Sequence, residues 1–196
     1  MNNTDVCKTC RKEGVKLFLK GERCLGTKCA VARRVDPTKP RAFRRGLTSS
    51  EFGKQLKEKQ KIKSIYGISE KQLSIMFKNA LHAQGSTAEI FMQNIERRLD
   101  NIVYRLGFAA SRPQARQMVS HGHIKVNSKK VDIASYKISQ NDIVTLDPKF
   151  ELFDAEAVDW LKTDKKKKEG KVLSIPTREQ IPSEVEEQLI IEYYSR

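Results

Sequence analysis

An α+β fold is what this sequence predicts, with a helical first half and then a compact unit of two helices and a small antiparallel sheet. Three observations carry that expectation. Ile90, Phe91, Ile95, Leu99, Ile102, Val103 and Leu106 recur at helical spacing. Beyond Gly122 the period drops to two, Ile124 and Val126 alternating with His123, Lys125 and Asn127. Helix-start signals of the form Ser-x-x-Gln/Glu stand at Ser69 and Gln72, Ser86 and Glu89, and Ser111 and Gln114; there a serine oxygen accepts a free amide while the longer side chain reaches back.

Taken in order, residues 1–45 carry all four cysteines and then a Pro/Arg-rich stretch, where Pro37 and Pro40 beside Arg41, Arg44 and Arg45 predict an extended connection. Residues 49–91 read as helical. Ile68 and Leu73 bracket the Ser69 cap as a hydrophobic staple, and that helix is expected to run to about His82. Gly85 interrupts, and one helix is predicted from about Thr87 to Leu106. A shorter helix follows Ser111, with Ala115, Met118 and Val119 inside an arc of roughly 100°. Short strands are expected at Ile124 and Val126, again at Val131 and Ile133, and over Ile143 to Leu146 after an Asn141-Asp142 turn. Lys165 to Lys168 reads as a solvated basic linker, and the tail from Pro176, ending in Leu189, Ile190 and Ile191, reads as a segment that docks. No internal repeat is present.

Composition bounds the function. With 196 residues and 38% hydrophobic content, the chain can bury one or two modest cores, with no room for a large catalytic domain beside a binding domain. Lys and Arg number 38 against 24 acids, a net charge of +14, which points to a polyanionic partner. A membrane surface would attract the same charge, but it calls for a basic amphipathic helix with a Trp, Phe or Leu face, and the single Trp160 lies in an acidic stretch. No run approaches the ~20 apolar residues that span a bilayer. The polar start, Met1 to Cys7, predicts a cytosolic, reducing compartment.

In that compartment the cysteines are not expected to pair as disulfides. Cys7-x2-Cys10 and Cys24-x4-Cys29, thirteen residues apart, allow four thiolates to converge on one tetrahedral ion, with zinc the leading choice. Four protein ligands leave no open position for substrate, so the site reads as structural. An iron-sulfur cluster would take the same ligands, a lone Cys-x-x-Cys can be redox-active, and reduced cysteines can be small buried hydrophobes.

The basic residues are concentrated. From Arg33 to Lys63 there are eleven Lys/Arg, Arg33, Arg34, Arg41, Arg44 and Arg45 among them, against three acids. On a helix Lys54, Lys57 and Lys61 share one face, as a row of ammonium groups along a nucleic-acid backbone would; the bland alternative is a solvated face. On the short third helix Arg112 and Arg116 lie one turn apart, with Gln114, Gln117 and His121 further round, and the first amides after Ser111 form a phosphate site. His123 and Lys125 on the following segment are placed with them. His121 and His123 flank Gly122, but no carboxylate or nucleophile motif accompanies them in sequence, so neither catalysis nor metal binding is assigned there.

The segments Arg97 to Ala109 and Ser111 to Asn127 resemble the RNA-binding domain named after small-subunit ribosomal protein S-four. Lys16 to Cys24, Gln55 to Lys63, Ile65 to Gly67 and Glu187 to Ser195 resemble that ribosomal family along nearly the whole chain. The resemblance implies two lobes, an RNA-binding domain (95–176, with its basic linker) inserted into a helical domain (46–94, completed by 177–196), after an N-terminal zinc knuckle and basic segment (1–45). It further implies a non-catalytic structural component of the small subunit that binds 16S-type rRNA at a multi-helix junction of the 5′ domain. Nucleation of assembly and a contribution to translational accuracy come with it. The implied partners are that rRNA, a neighbouring S-five-type protein and mRNA near its entrance, with neither membrane nor small-molecule substrate, in the cytoplasm or on an organellar ribosome. Carried over by position, Cys7, Cys10, Cys24 and Cys29 match the ligands of the zinc-bearing branch, and Ser111, Arg112, Gln114, Arg116, Gln117, His121 and His123 match the RNA-contact stretch. The sequence departs from the family pattern at Asn141, which stands where glycine is usual. Two other functions fit the same domain: a regulator binding its own mRNA, and an RNA-modifying protein. The latter needs a separate catalytic domain that the residues after Leu146 are too few to supply.

Overall fold

The computed structural model describes residues 6–34, 50–154, 158–182 and 185–195. In chain order its elements are α1 (Val6–Glu13), α2 (Glu22–Leu25), a 3₁₀ turn (Ala32–Arg34), α3 (Glu51–Tyr66), α4 (Glu70–Leu81), α5 (Thr87–Glu96), α6 (Leu99–Arg105), α7 (Arg112–Ser120), β1 (Ile124–Val126), β2 (Lys129–Lys130), β3 (Ile143–Leu146), β4 (Leu161–Asp164), β5 (Glu169–Val172) and α8 (Glu187–Tyr194). They form two compact units, one reaching to Leu73 and resuming at Val185, the other spanning Ser74–Glu184. The division falls inside α4, ahead of the 94/95 boundary expected from sequence, because Phe77 on α4 meets Phe91 on α5 edge to face at 6.1 Å.

In the first unit, α3 starts where the Ser50 Oγ accepts the Gly53 amide (3.2 Å) and stops at Gly67, whose φ of 63° most side chains resist. Gln55, Lys59, Ile62 and Tyr66 are buried on one stripe. The C-terminal helix α8 packs on it: the Phe52 and Tyr193 rings lie 5.7 Å apart, and the Gln55 amide donates to Glu192 Oε2 at 2.9 Å. Ser69 caps α4 as expected, its hydroxyl accepting the Gln72 amide at 3.3 Å, with Ile68 and Leu73 both fully buried.

In the second unit a five-stranded antiparallel sheet runs in the order β2-β1-β3-β5-β4. Its inward residues Ile124, Val126, Val144, Leu146 and Val172 share one core with Leu99, Ile102 and Val103 of α6, Met118 and Val119 of α7, and Trp160. Alternation at β1 and β3 was legible because one face meets the helices and the other meets water.

Four expectations need correction. The single helix Thr87–Leu106 is broken at Arg97 and Arg98 into α5 and α6, since Arg98 is extended (ψ 140°) and backbone groups around it pair with a loop. Leu99 and Asp100 amides donate to the Tyr136 and Ala134 carbonyls, and the Ile138 amide donates to Arg97. That loop takes up residues 132–138, so the strand expected at Val131 and Ile133 is instead the short β2, joined to β1 by a tight turn with Asn127 (φ 48°) and Ser128 (φ 66°) both left-handed. Ser86 precedes α5 without a side-chain cap; Glu89 accepts instead from Gln93 at 3.4 Å. The Lys165–Lys168 run is the turn of the β4–β5 hairpin, not a linker. Asn141, at φ 68°, takes the left-handed conformation that its amide side chain tolerates.

Candidate nucleic-acid interface

Helix α7 is held by both halves of its capping signal. The buried Ser111 Oγ accepts the Gln114 amide at 3.5 Å, and Gln114 Oε1 in return accepts the Ala110 amide at 2.9 Å, one residue before the cap. Behind it, the end of α5 and α6 supply a polar scaffold that no sequence motif marks. Fully buried Glu96 receives the Arg105 guanidinium through Nε and Nη2 (3.2 and 3.1 Å) and the Asn101 amide (2.7 Å). The other end of that amide, Asn101 Oδ1, accepts Arg112 Nε at 2.9 Å, while the Arg112 guanidinium lies 4.5 Å from the Tyr104 ring centre. Asp100 takes a bidentate pair from buried Arg98 (3.0 and 2.6 Å), and Arg116 Nη1 stands 4.0 Å from the same carboxylate, its side chain 38% exposed. Arg112 on α7 is thereby fixed in direction by α6, and the Arg116 guanidinium stands within electrostatic reach of the same helix. Asp100, Asn101 and Tyr104 lie among the apolar positions of that stretch and carry no motif of their own, so their role is visible only in the folded chain.

Around these, Gln117, His121 and Lys125 are exposed and Gln114 half-buried. His123 is half-buried, and the fold brings a carboxylate near it that no sequence motif marks: Asp147 Oδ2 lies 3.8 Å from its Nδ1, with Phe150 stacked obliquely at 4.7 Å. The bond from Lys149 holds the Asp147 carboxyl below the usual carboxylate range. The signal was out of reach of sequence because β1 and the end of β3 become neighbours only through the sheet, in the register Ile124 opposite Leu146.

The α3 lysines belong to the first unit and are partly neutralised within it. Lys54 pairs with Glu51 at 2.8 Å, Lys61 is largely covered and 3.5 Å from Glu58, and Lys57 is exposed. Lys59 and Lys63 both turn to Glu70, at 2.9 and 2.7 Å. Arg33 is exposed; Arg41, Arg44, Arg45 and the Arg34 side chain lie outside the described residues.

Cys7, Cys10, Cys24 and Cys29 line one small void of about 10 Å³ with Lys20 and Arg23. No group of three or more His, Cys, Asp and Glu among the described residues is arranged so that it could hold a metal ion as it stands. The donor chemistry nonetheless suits a cation. The Lys20 amide donates to Cys24 Sγ at 3.3 Å, backbone bonds from Ala32 and Val31 lower the Cys29 thiol, and burial raises Cys10 against a bond from Leu17. Amides aimed at sulfur favour thiolate, the form a metal takes.

Among the described residues no helix is long and apolar enough to cross a membrane. Comparison with known proteins places the whole chain. The S4 domain model matches residues 97–144 and the ribosomal protein S4/S9 N-terminal domain model matches residues 2–96. Small ribosomal subunit protein uS4 of Halothermothrix orenii is 48% identical, and that of Thermus thermophilus 46%, each over 97% of both chains. Small ribosomal subunit protein uS4A of Clostridium perfringens is 48% identical over the same share. With both halves matched in order and relatives near half identity end to end, the chain belongs to the bacterial-type uS4 family of small-subunit ribosomal proteins, which are structural proteins and not enzymes.

Proposed function

We propose that this protein is a structural component of the small ribosomal subunit that binds 16S-type rRNA at a multi-helix junction of the 5′ domain and nucleates subunit assembly. The observation that carries this reading is the α7 surface, where the helix start is capped by Ser111, Arg112 is oriented by Asn101 and Tyr104, Arg116 stands near Asp100, and Gln117, His121 and Lys125 are exposed toward and beyond the helix's other end. Guanidinium forks fixed before binding lose little freedom when they meet phosphate, which suits recognition of folded RNA by shape. The α3 lysines, Arg33 and the arginines between residues 34 and 45 add sequence-independent attraction. The neighbouring partners of this reading are an S-five-type protein and mRNA near its entrance, through which the protein contributes to translational accuracy.

Cys7, Cys10, Cys24 and Cys29 would hold one structural zinc ion, tying the two short N-terminal turns together. Their shared void and amide-to-sulfur bonds support that reading. The experiment for the RNA site is a salt titration of binding to a 5′-domain rRNA fragment and to an unrelated RNA of equal length. A log–log slope of several units with clear preference for the fragment is expected; equal affinity for both would defeat junction recognition. For the metal, protein purified without added zinc should carry one equivalent per chain, lost together with N-terminal order on chelation; a visible-range iron-sulfur absorbance, or no metal at all, would overturn it.

A further inference from the structure

The β4–β5 hairpin is a basic arm that neither the α7 surface nor the sheet's core explains. Lys162, Lys165, Lys166, Lys167 and Lys171 are all exposed, and none has an ion pair among the described residues. The arm is ordered. Asp164 Oδ1 accepts the Lys166 and Lys167 amides (3.0 and 3.2 Å), which directs that carboxylate into the turn. Lys168, left-handed at φ 53°, donates its ammonium to the Pro148 and Phe150 carbonyls (both 2.6 Å) and so fastens the hairpin to the turn after β3.

The register adds a second observation. Lys162 stands directly opposite Lys171, and at the other end of the sheet Lys125 stands directly opposite Lys130, each pair on the solvent face. Like charges opposite one another across strands destabilise a sheet. At Lys162 and Lys171 the inward residues on either side, Leu161, Gly170 and Val172, face the core, so these two lysines contribute nothing to the packing there. Phosphates of an external polyanion lying between the ammonium groups would offset the repulsion in both pairs.

We propose that this hairpin is a second phosphate-binding surface, gripping the backbone of structured RNA from the sheet face opposite to the one that α6 and α7 cover. The inference rests on the ribosomal reading for its ligand but not for its geometry. Contacts there are to phosphate alone and carry no base preference.

The test uses the full chain with K165Q/K166Q/K167Q and, separately, K171E. The triple variant should weaken binding to the 5′-domain fragment on the order of tenfold or more at ~0.1 M salt, and lower the salt slope by about 2. In the absence of RNA, K171E should raise the melting temperature, since Lys162 gains an opposite charge, while weakening RNA binding; a purely structural role would move only the first. An unchanged slope in the triple variant, with R112Q/R116Q lowering it, overturns the proposal. Wild-type protein binding the fragment no better than unrelated RNA would defeat junction recognition alone, because the slope on either RNA still reports the hairpin.

Discussion

Glu96 has no exposed surface, and its side chain accepts from Asn101 and from two nitrogens of Arg105, itself only 6% exposed at the side chain. Such a pair adds little net stability over an apolar pair of the same shape, but removing one member leaves the other charge stranded. Glu96→Ala should therefore destabilise by about 3–5 kcal/mol in urea unfolding, and a loss below ~1 kcal/mol would mean that Arg105 finds water. Because Asn101 also holds Arg112, the same variant should loosen the α7 arginine before the fold is lost. Glu70 gives a pH signature instead. Burial pushes its carboxyl up, but bonds from Lys63, Lys59 and the Tyr194 hydroxyl override that and hold it at about 2, against an ordinary 4.5. A depressed carboxyl contributes stability that is complete above its unfolded value and is lost as pH falls through the folded one. The α3–α8 unit should weaken between about pH 4.5 and pH 2, modestly because the Glu70 side chain is 46% exposed. Glu70→Gln should flatten that slope in an acid titration followed by circular dichroism; an unchanged slope would assign the acid sensitivity to other carboxylates.

Among the elements, β5 shows what sequence could not announce. Gly170 lies in its middle at an inward, buried position, and an added Cβ would collide with the Leu106 side chain at the end of α6. Gly170→Ala should cost about 1–3 kcal/mol through overpacking, read as a lower urea midpoint at unchanged m-value; a neutral result would show that Leu106 can turn aside. With Gly170 central and Lys165 to Lys168 adjacent, the segment carries no period-two apolar pattern, so β4 and β5 were invisible, whereas β1 and β3 announced themselves through Ile124, Val126, Val144 and Leu146. Helix starts at Ser69 and Ser111 were legible because the cap is a local bond, while the break at Arg97 and Arg98 was not, because it depends on backbone partners in a loop some forty residues on. The site divides in the same way. Its charges on α7 were read from spacing within one helix, but the groups that aim them, Asn101 and Asp100 on α6 and Asp147 beside His123, become neighbours only in the folded chain.

At the scale of the whole molecule, charge is distributed unequally between holding the fold and reaching outward. Lys59, Lys63 and Arg105 are tied to Glu70 and Glu96, yet the chain keeps a net +14 and carries lysines face to face at 125 and 130 and at 162 and 171. A folded chain so charged repels itself, and the repulsion is exposed to solvent, where it is screened over about 10 Å at 0.1 M salt. Salt should then act with opposite signs on the two properties. Raising sodium chloride from ~0.05 to ~0.5 M should raise the melting temperature of the free protein as the lysine pairs are screened, while RNA affinity falls by several powers of ten through lost counterion release. Thermal melts and fluorescence titrations on the same samples would measure both. A melting temperature that fell in step with affinity would mean that the exposed cations are partnered within the protein, and that the surfaces assigned here to phosphate are closed when RNA is absent.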